Sequence, residues 1–184
     1  SRKARVPRFL RASVNWRIIP AGAATAATQS GAHSRAAPPA RPRLRVIGLN
    51  DFHGAFEPRV GARGRLFGGA GALVATIRKA QAECQPPSCW SLIVDGGDEF
   101  QGTPASNLAY GRTVVTLFDS LGVTAAALGN HEFDYGQDTL RARMRQASYA
   151  ILSANLRDTL GRVPSWVRQD TIVQRGPWTV GIIG

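Results

Sequence analysis

Apolar side chains fall in four short runs, Leu44–Leu49, Ser91–Val94, Ala125–Leu128 and Ala150–Ala154, separated by segments where apolar positions recur every three or four residues. Unbroken apolar runs of this length predict strands covered on both faces, as in a parallel sheet. Between the first two runs, Leu73, Ile77, Ala80 and Cys84 share one stripe of a helix. Thr113–Leu121 predicts a second helix, closed by Gly122 where a left-handed residue ends the last turn. Gln137–Gln146 predicts a third, with Leu140 and Met144 inward and Arg141, Arg143 and Arg145 outward. Its Asp138 lies in the first turn, where the helix dipole favours a carboxylate. Further on, Thr171–Gln174 and Thr179–Ile183 flank Arg175-Gly176-Pro177 as a hairpin. The Gly- and Arg-rich segment Arg59–Phe67 reads as a loop. Gly68, Gly69 and Gly71 lack a complete phosphate-binding motif and read as close helix packing, with anion binding a lesser alternative. The alternation of strands and helices implies a layered α/β fold with a largely parallel sheet at its start.

A chain of 184 residues with 43% hydrophobic content suffices for one domain with a core. Its formal net charge of +11 suggests a nucleic-acid or membrane partner until the distribution is considered. Residues 1–45 hold ten Arg or Lys and no acid, whereas residues 46–184 hold 13 basic and 12 acidic side chains. The excess therefore belongs to a leader, residues 1–42, and not to the remainder, residues 43–184. That leader has no sustained period and ends in Ala-, Pro- and Arg-rich sequence, which reads as disordered linker. A processed export signal is the alternative. Arg8–Ser13 faintly resembles a twin-arginine region and Ala21–Ala27 is small and apolar, but no arginines are adjacent and Asn15, Trp16 and Arg17 interrupt any apolar segment. A nucleic-acid-binding arm making phosphate contacts is a third reading, weakened by the scarcity of aromatics. No apolar run approaches the roughly 18 residues needed to span a membrane.

Cys84 and Cys89 are the only cysteines. So close a pair suits a small disulfide loop in an oxidising compartment, or equally two ordinary thiols; zinc would need more ligands nearby. The pair leans towards the periplasm or exterior without excluding the cytoplasm.

The chemistry gathers where the first three strands end. Asn50-Asp51-Phe52-His53-Gly54 follows the first run, Asp95-Gly96-Gly97-Asp98-Glu99-Phe100-Gln101-Gly102 the second, and Gly129-Asn130-His131-Glu132-Phe133-Asp134-Tyr135-Gly136 the third. Open α/β sheets place their ligands at this edge. Taken singly, each residue has an ordinary explanation. Asp51 suits a turn cap, His53 a hydrogen-bonded loop histidine, Asp98 a Gly-Asp turn and Asn130 a Gly-Asn turn. Asp134, three residues after His131, is spaced to orient the imidazole.

Together, Asp-x-His, Gly-Asp-x-x-Gln-Gly and Gly-Asn-His-Glu-Phe-Asp, in this order, resemble the calcineurin-like metallophosphoesterases, specifically their 5'-nucleotidase branch. The resemblance runs from about Leu44 to the end of the chain. It implies the amino-terminal part of a four-layer αββα fold and a centre of two divalent metal ions, whether manganese, zinc, iron, cobalt or magnesium. It assigns Asp51 and His53 to one metal, Asn130 to the other and Asp98 to the bridge, where a carboxylate offsets the cations' repulsion. It also casts His131 as the group that contacts phosphate or protonates the leaving oxygen, with Asp134 holding its ring and raising its pKa. Glu99 and Glu132 adjoin ligands and are expected to point away, in a supporting or surface role. Asp95 is expected to cap or support its loop, and Gln101, Gly102 and Gly136 to shape theirs.

The implied substrate is a small phosphate monoester, foremost a 5'-nucleotide, with no specific nucleic-acid partner. Relatives sharing these motifs also act on 2',3'-cyclic nucleotides, UDP-sugars or sulfur-linked substrates, and a non-catalytic remnant is the reading from a different class. The family completes its centre with later histidines, whereas this chain has only His33, His53 and His131. The expectation is therefore the amino-terminal portion of a longer enzyme, binding metal weakly and turning over little by itself.

Overall fold

A computed structural model describes residues 41–184 and the backbone of Arg17–Ile18. In chain order the strands and helices are β1 (Arg17–Ile18), β2 (Arg43–Leu49), β3 (Arg59–Val60), β4 (Leu66–Phe67), α1 (Gly69–Ala82), β5 (Cys89–Asp95), α2 (Pro104–Asn107), α3 (Arg112–Leu121), β6 (Ala125–Ala127), α4 (Gln137–Gln146), β7 (Ala150–Leu152), β8 (Asp170–Arg175) and β9 (Trp178–Ile183). Single 3₁₀ turns cover Ala62–Gly64 and His131–Phe133.

β2, β5, β6 and β7 form one parallel sheet in that order. Successive strands are neighbours, and right-handed crossovers then put α1, α3 and α4 on the same face. Along β5 the side chains alternate between two cores. Ile93 packs with Ile77, Phe118, Leu121, Leu140 and Ile151 under the helices, while Leu92 and Val94 meet Val180 and Ile182 of β9 on the other face. This two-sided burial explains the continuous apolar runs of β5, β6 and β7, but the edge strand β2, expected to be covered alike, has no buried residue. Fully covering a Phe118 or Leu152 contributes roughly 1.5–3 kcal/mol each. The hairpin of β8 and β9, extended by β1, is a second, antiparallel sheet laid on the first. Helices, parallel sheet and antiparallel sheet make three layers of the implied four among the described residues.

The sequence places the main strands and helices within two residues, and Gly122 closes α3 in the left-handed region at φ 73°. Two segments depart from expectation. Arg59–Phe67 is a small hairpin rather than a loop, pairing Arg59 with Phe67 and Val60 with Leu66. The stripe ending at Cys84 outruns its helix, since α1 stops at Ala82 and Cys84 is buried beyond it in a disulfide with Cys89. The readings of residues 1–42 as linker, export signal or nucleic-acid arm lie outside the described residues, apart from the short pairing of β1 with β9.

Candidate metal centre

Three loops leave the carboxyl ends of β2, β5 and β6, and the first two are bonded as though their strands continued. Gly96 N–H donates to Leu49 O at 2.8 Å, Asp51 N–H to Gly97 O and His53 N–H to Asp98 O at 3.0 Å, and Gly54 N–H to Glu99 O at 2.9 Å. This extended ladder holds Asp51, His53 and Asp98 in the left-handed region, at φ of 52°, 51° and 59°. Left-handed geometry costs an L-residue roughly 1–2 kcal/mol. Such strain persists where surrounding structure overdetermines it, and it clusters at functional sites. The third loop presses on the second so tightly that two glycines are obligatory. A Cβ on Gly97 would lie 2.7 Å from the Gly129 nitrogen, and one on Gly129 would fall on the Asp98 carboxylate.

Through this packing His53, Asp98 and His131 each aim one ligand atom into the same space, all within 4.8 Å of one another. Nδ1 of His53 lies 2.7 Å from the carbonyl of Gln101, which can only accept, so this nitrogen carries the proton and Nε2 keeps a free lone pair. Nε2 lies 3.8 Å from Oδ1 of Asp51, an exposed carboxylate that also accepts from the Asn50 amide. Nδ1 of His131 is 2.7 Å from Oδ2 of Asp134, and this hydrogen bond raises the His131 pKa above its usual value, with partial burial opposing it and the charges of Asp134, Asp98 and Glu132 adding to it. Asp98 uses Oδ1 to accept the His131 backbone N–H at 3.0 Å, leaving Oδ2 available. The two imidazole rings stand edge to face, 5.0 Å between centroids. Asn130 is exposed at the start of the 3₁₀ turn, directly before His131.

Of the residues singled out in sequence, His53, Asp98 and His131 converge, with Asp51 beside His53 and Asp134 on the far side of His131, whereas Asn130 is brought near only by its place in the chain next to His131. His131, expected beside the metals, lies as close to Asp98 and His53 as a ligand would. A set of imidazole nitrogens with free lone pairs and hard carboxylate oxygens suits a divalent cation.

Beneath the cluster lie three acids. Asp95, Glu99 and Glu132 are each only 1% exposed, which overturns the surface alternative for the two glutamates. Asp95 does brace its loop, Oδ1 accepting the Gly97 N–H at 2.7 Å. Burial pushes its pKa up to about 7, against the pull of that bond, with the charges of Glu132 and Asp51 adding to the rise. Burial also lifts Glu99 well above the carboxylate range, and its Oε2 accepts from the Tyr149 hydroxyl at 3.0 Å. Tyr149 carried no sequence signal, because a lone tyrosine before an apolar run looks like core. Glu132 turns back into the fold and gathers backbone amides of both loops.

No family model matches the chain. It is 33% identical over 150 residues to the snake venom 5'-nucleotidase of Gloydius brevicauda, covering 77% of this chain and 25% of that protein. The crystal structure of the 5'-nucleotidase precursor from Thermus thermophilus superposes with a TM-score of 0.66 at 31% identity, over 77% of this chain and 28% of the other. The calcineurin-like phosphoesterase YfkN of Bacillus subtilis shares the fold, with a TM-score of 0.58 at 24% identity over 71% of this chain and 41% of its own. The chain spans about a quarter of the length of the curated relatives it matches. With the three motif loops joined at one sheet edge and these likenesses over the same stretch, the chain is homologous to about a quarter of the length of the 5'-nucleotidases and shares the fold of the calcineurin-like phosphoesterases.

Proposed function

We propose that this chain forms the metal-holding part of a phosphoesterase that hydrolyses phosphate monoesters, foremost 5'-nucleotides to nucleoside and phosphate. The observation carrying this reading is the convergence of His53, Asp98 and His131 within 4.8 Å. Two divalent ions at this edge would supply an activated water and neutralise phosphoryl oxygens. Asp51 and His53 would hold one ion and Asn130 the other, with Asp98 contributing the charge between them. The protein's own work is positional. Gln101 O fixes the His53 tautomer so that Nε2 faces the site. Asp134 holds the His131 ring by Nδ1, leaving Nε2 to contact a phosphoryl oxygen or pass a proton to the leaving oxygen. Cyclic nucleotides, UDP-sugars and sulfur-linked esters remain within reach of the same chemistry, and the chain alone is expected to bind metal weakly and turn over little. The Cys84–Cys89 disulfide supports an oxidising location, periplasmic or secreted. No helix among the described residues is long and apolar enough to cross a membrane.

The test is Mn²⁺ binding by the chain together with phosphate release from AMP by the longest product containing it. His53→Ala and Asp98→Asn should each weaken binding and cut turnover by at least ~100-fold, beyond the ~10–100-fold typical of losing an outer-shell partner. Retention of both properties in either variant would refute the assignment.

A further inference from the structure

We infer that Glu132 is a positioning residue of this centre, a clasp whose carboxylate sets the Asp98 loop against the Asn130–His131 loop. Metal affinity then depends on Glu132, although it faces away from the ions. The inference rests on the metal reading above. Its geometry is distinctive: one carboxylate accepts from backbone amides of two loops that leave different strands. Oε1 accepts from Glu99 N–H at 2.7 Å and Phe100 N–H at 3.3 Å, while Oε2 accepts from Asp98 N–H at 2.9 Å and Gly129 N–H at 2.7 Å. The bond is returned in the other direction, since Asp98 Oδ1 accepts the His131 N–H at 3.0 Å. Each loop therefore lends a carboxylate to the other's backbone.

This exchange fixes what a metal site needs fixed. Asp98 sits in the left-handed region at φ 59°, where an aspartate is not held by its own preference, and its amide is anchored on Glu132. Gly129, anchored on the other side of the same oxygen, leads directly into Asn130 and His131. A shift of one loop relative to the other would separate His131 from Asp98 without disturbing either strand. The clasp also demands a carboxylate specifically. It must present two acceptor oxygens, each facing two N–H groups, and a glutamine would turn an NH₂ donor towards two of those donors. An aspartate would fall one methylene short.

The experiment follows Mn²⁺ binding to the whole chain by EPR, at ion concentrations up to millimolar, for the wild type, Glu132→Gln, Glu132→Asp and Leu140→Ala. Leu140 is buried in the helix-to-sheet core and is neither a candidate ligand nor a partner of Glu132, so its truncation is a stability control. Amide hydrogen exchange is measured on the same samples without metal, well below the unfolding temperature. Both Glu132 variants should lose ~10–100-fold in affinity, and protection should fall at Asp98, Glu99, Gly129 and His131 while the β5 amides stay protected. Leu140→Ala should unfold earlier yet bind as the wild type does. Unchanged affinity in Glu132→Gln, unchanged protection at those amides, or an equal loss in Leu140→Ala would each overturn the clasp. A wild type that binds no Mn²⁺ would instead bring down the metal reading, and the clasp's role in affinity with it.

Discussion

Asp95 ties the stability of the fold to pH. In the unfolded chain it releases its proton near 3.8, whereas burial holds the proton to about 7 in the folded state. Between those values the folded state binds more protons than the unfolded one, so stability falls as pH rises through the window and the full penalty stands above it. Asp95→Asn removes that penalty while keeping an oxygen for the Gly97 amide. It is expected to raise the Tm by a few degrees at pH 8, in EDTA, with the gain vanishing near pH 4.5. An equal shift at both pH values would show that the effect is not protonation. This role was hidden in the sequence, where Asp95 looks like any loop-bracing acid, because nothing local says how deeply a carboxyl will be buried. His131 and Asp134 were legible because three residues in a tight turn necessarily put the two side chains together. Glu132 was not, since its partners in the Asp98 loop lie more than thirty positions away.

At the scale of elements, the glycines divide by what surrounds them. Gly129 ends the run through β6 where the neighbouring loop leaves no room for a Cβ, while Gly71 in α1 has nothing within 4 Å of where its Cβ would lie. Gly129→Ala should therefore destabilise by roughly 1–3 kcal/mol through overpacking and weaken metal binding with it. Gly71→Ala should stabilise by roughly 0.5–1 kcal/mol by restricting the unfolded chain and favouring helix. Urea midpoints of the two variants, moving in opposite directions, would check both; movement in the same direction would contradict the packing. The strand-turn-helix units from β5 onward were readable because their apolar runs are buried on both faces, whereas the run of β2 is apolar yet only half-buried at the edge of the sheet. β3, β4 and α2, at two, two and four residues, are too short to show any period, and the first two are masked by their glycines and arginines. The layering of β8 and β9 over the parallel sheet was unreadable for another reason. Alternation marks a hairpin but does not say which surface receives it.

For the molecule as a whole, the basic excess is concentrated at one end of the sequence while the part from residue 46 onward is nearly balanced, with 13 basic and 12 acidic side chains. Any salt-sensitive adhesion to polyanions is thus a property of the first 45 residues and says little about the phosphoester site. The order of the parallel sheet has a different implication. β2 is terminal in it, its outer side unpaired among the described residues, with Val46 43% exposed between Arg43, Arg45 and Ile47. A seven-residue edge of open amides and carbonyls is a template on which another strand can crystallise, and the arginines are a partial guard against it. Concentrated solutions should therefore show growth of dimers by side-to-side pairing of this edge. Val46→Lys should suppress that growth in sedimentation velocity without altering the unfolding transition, turning an adhesive margin into an inert one.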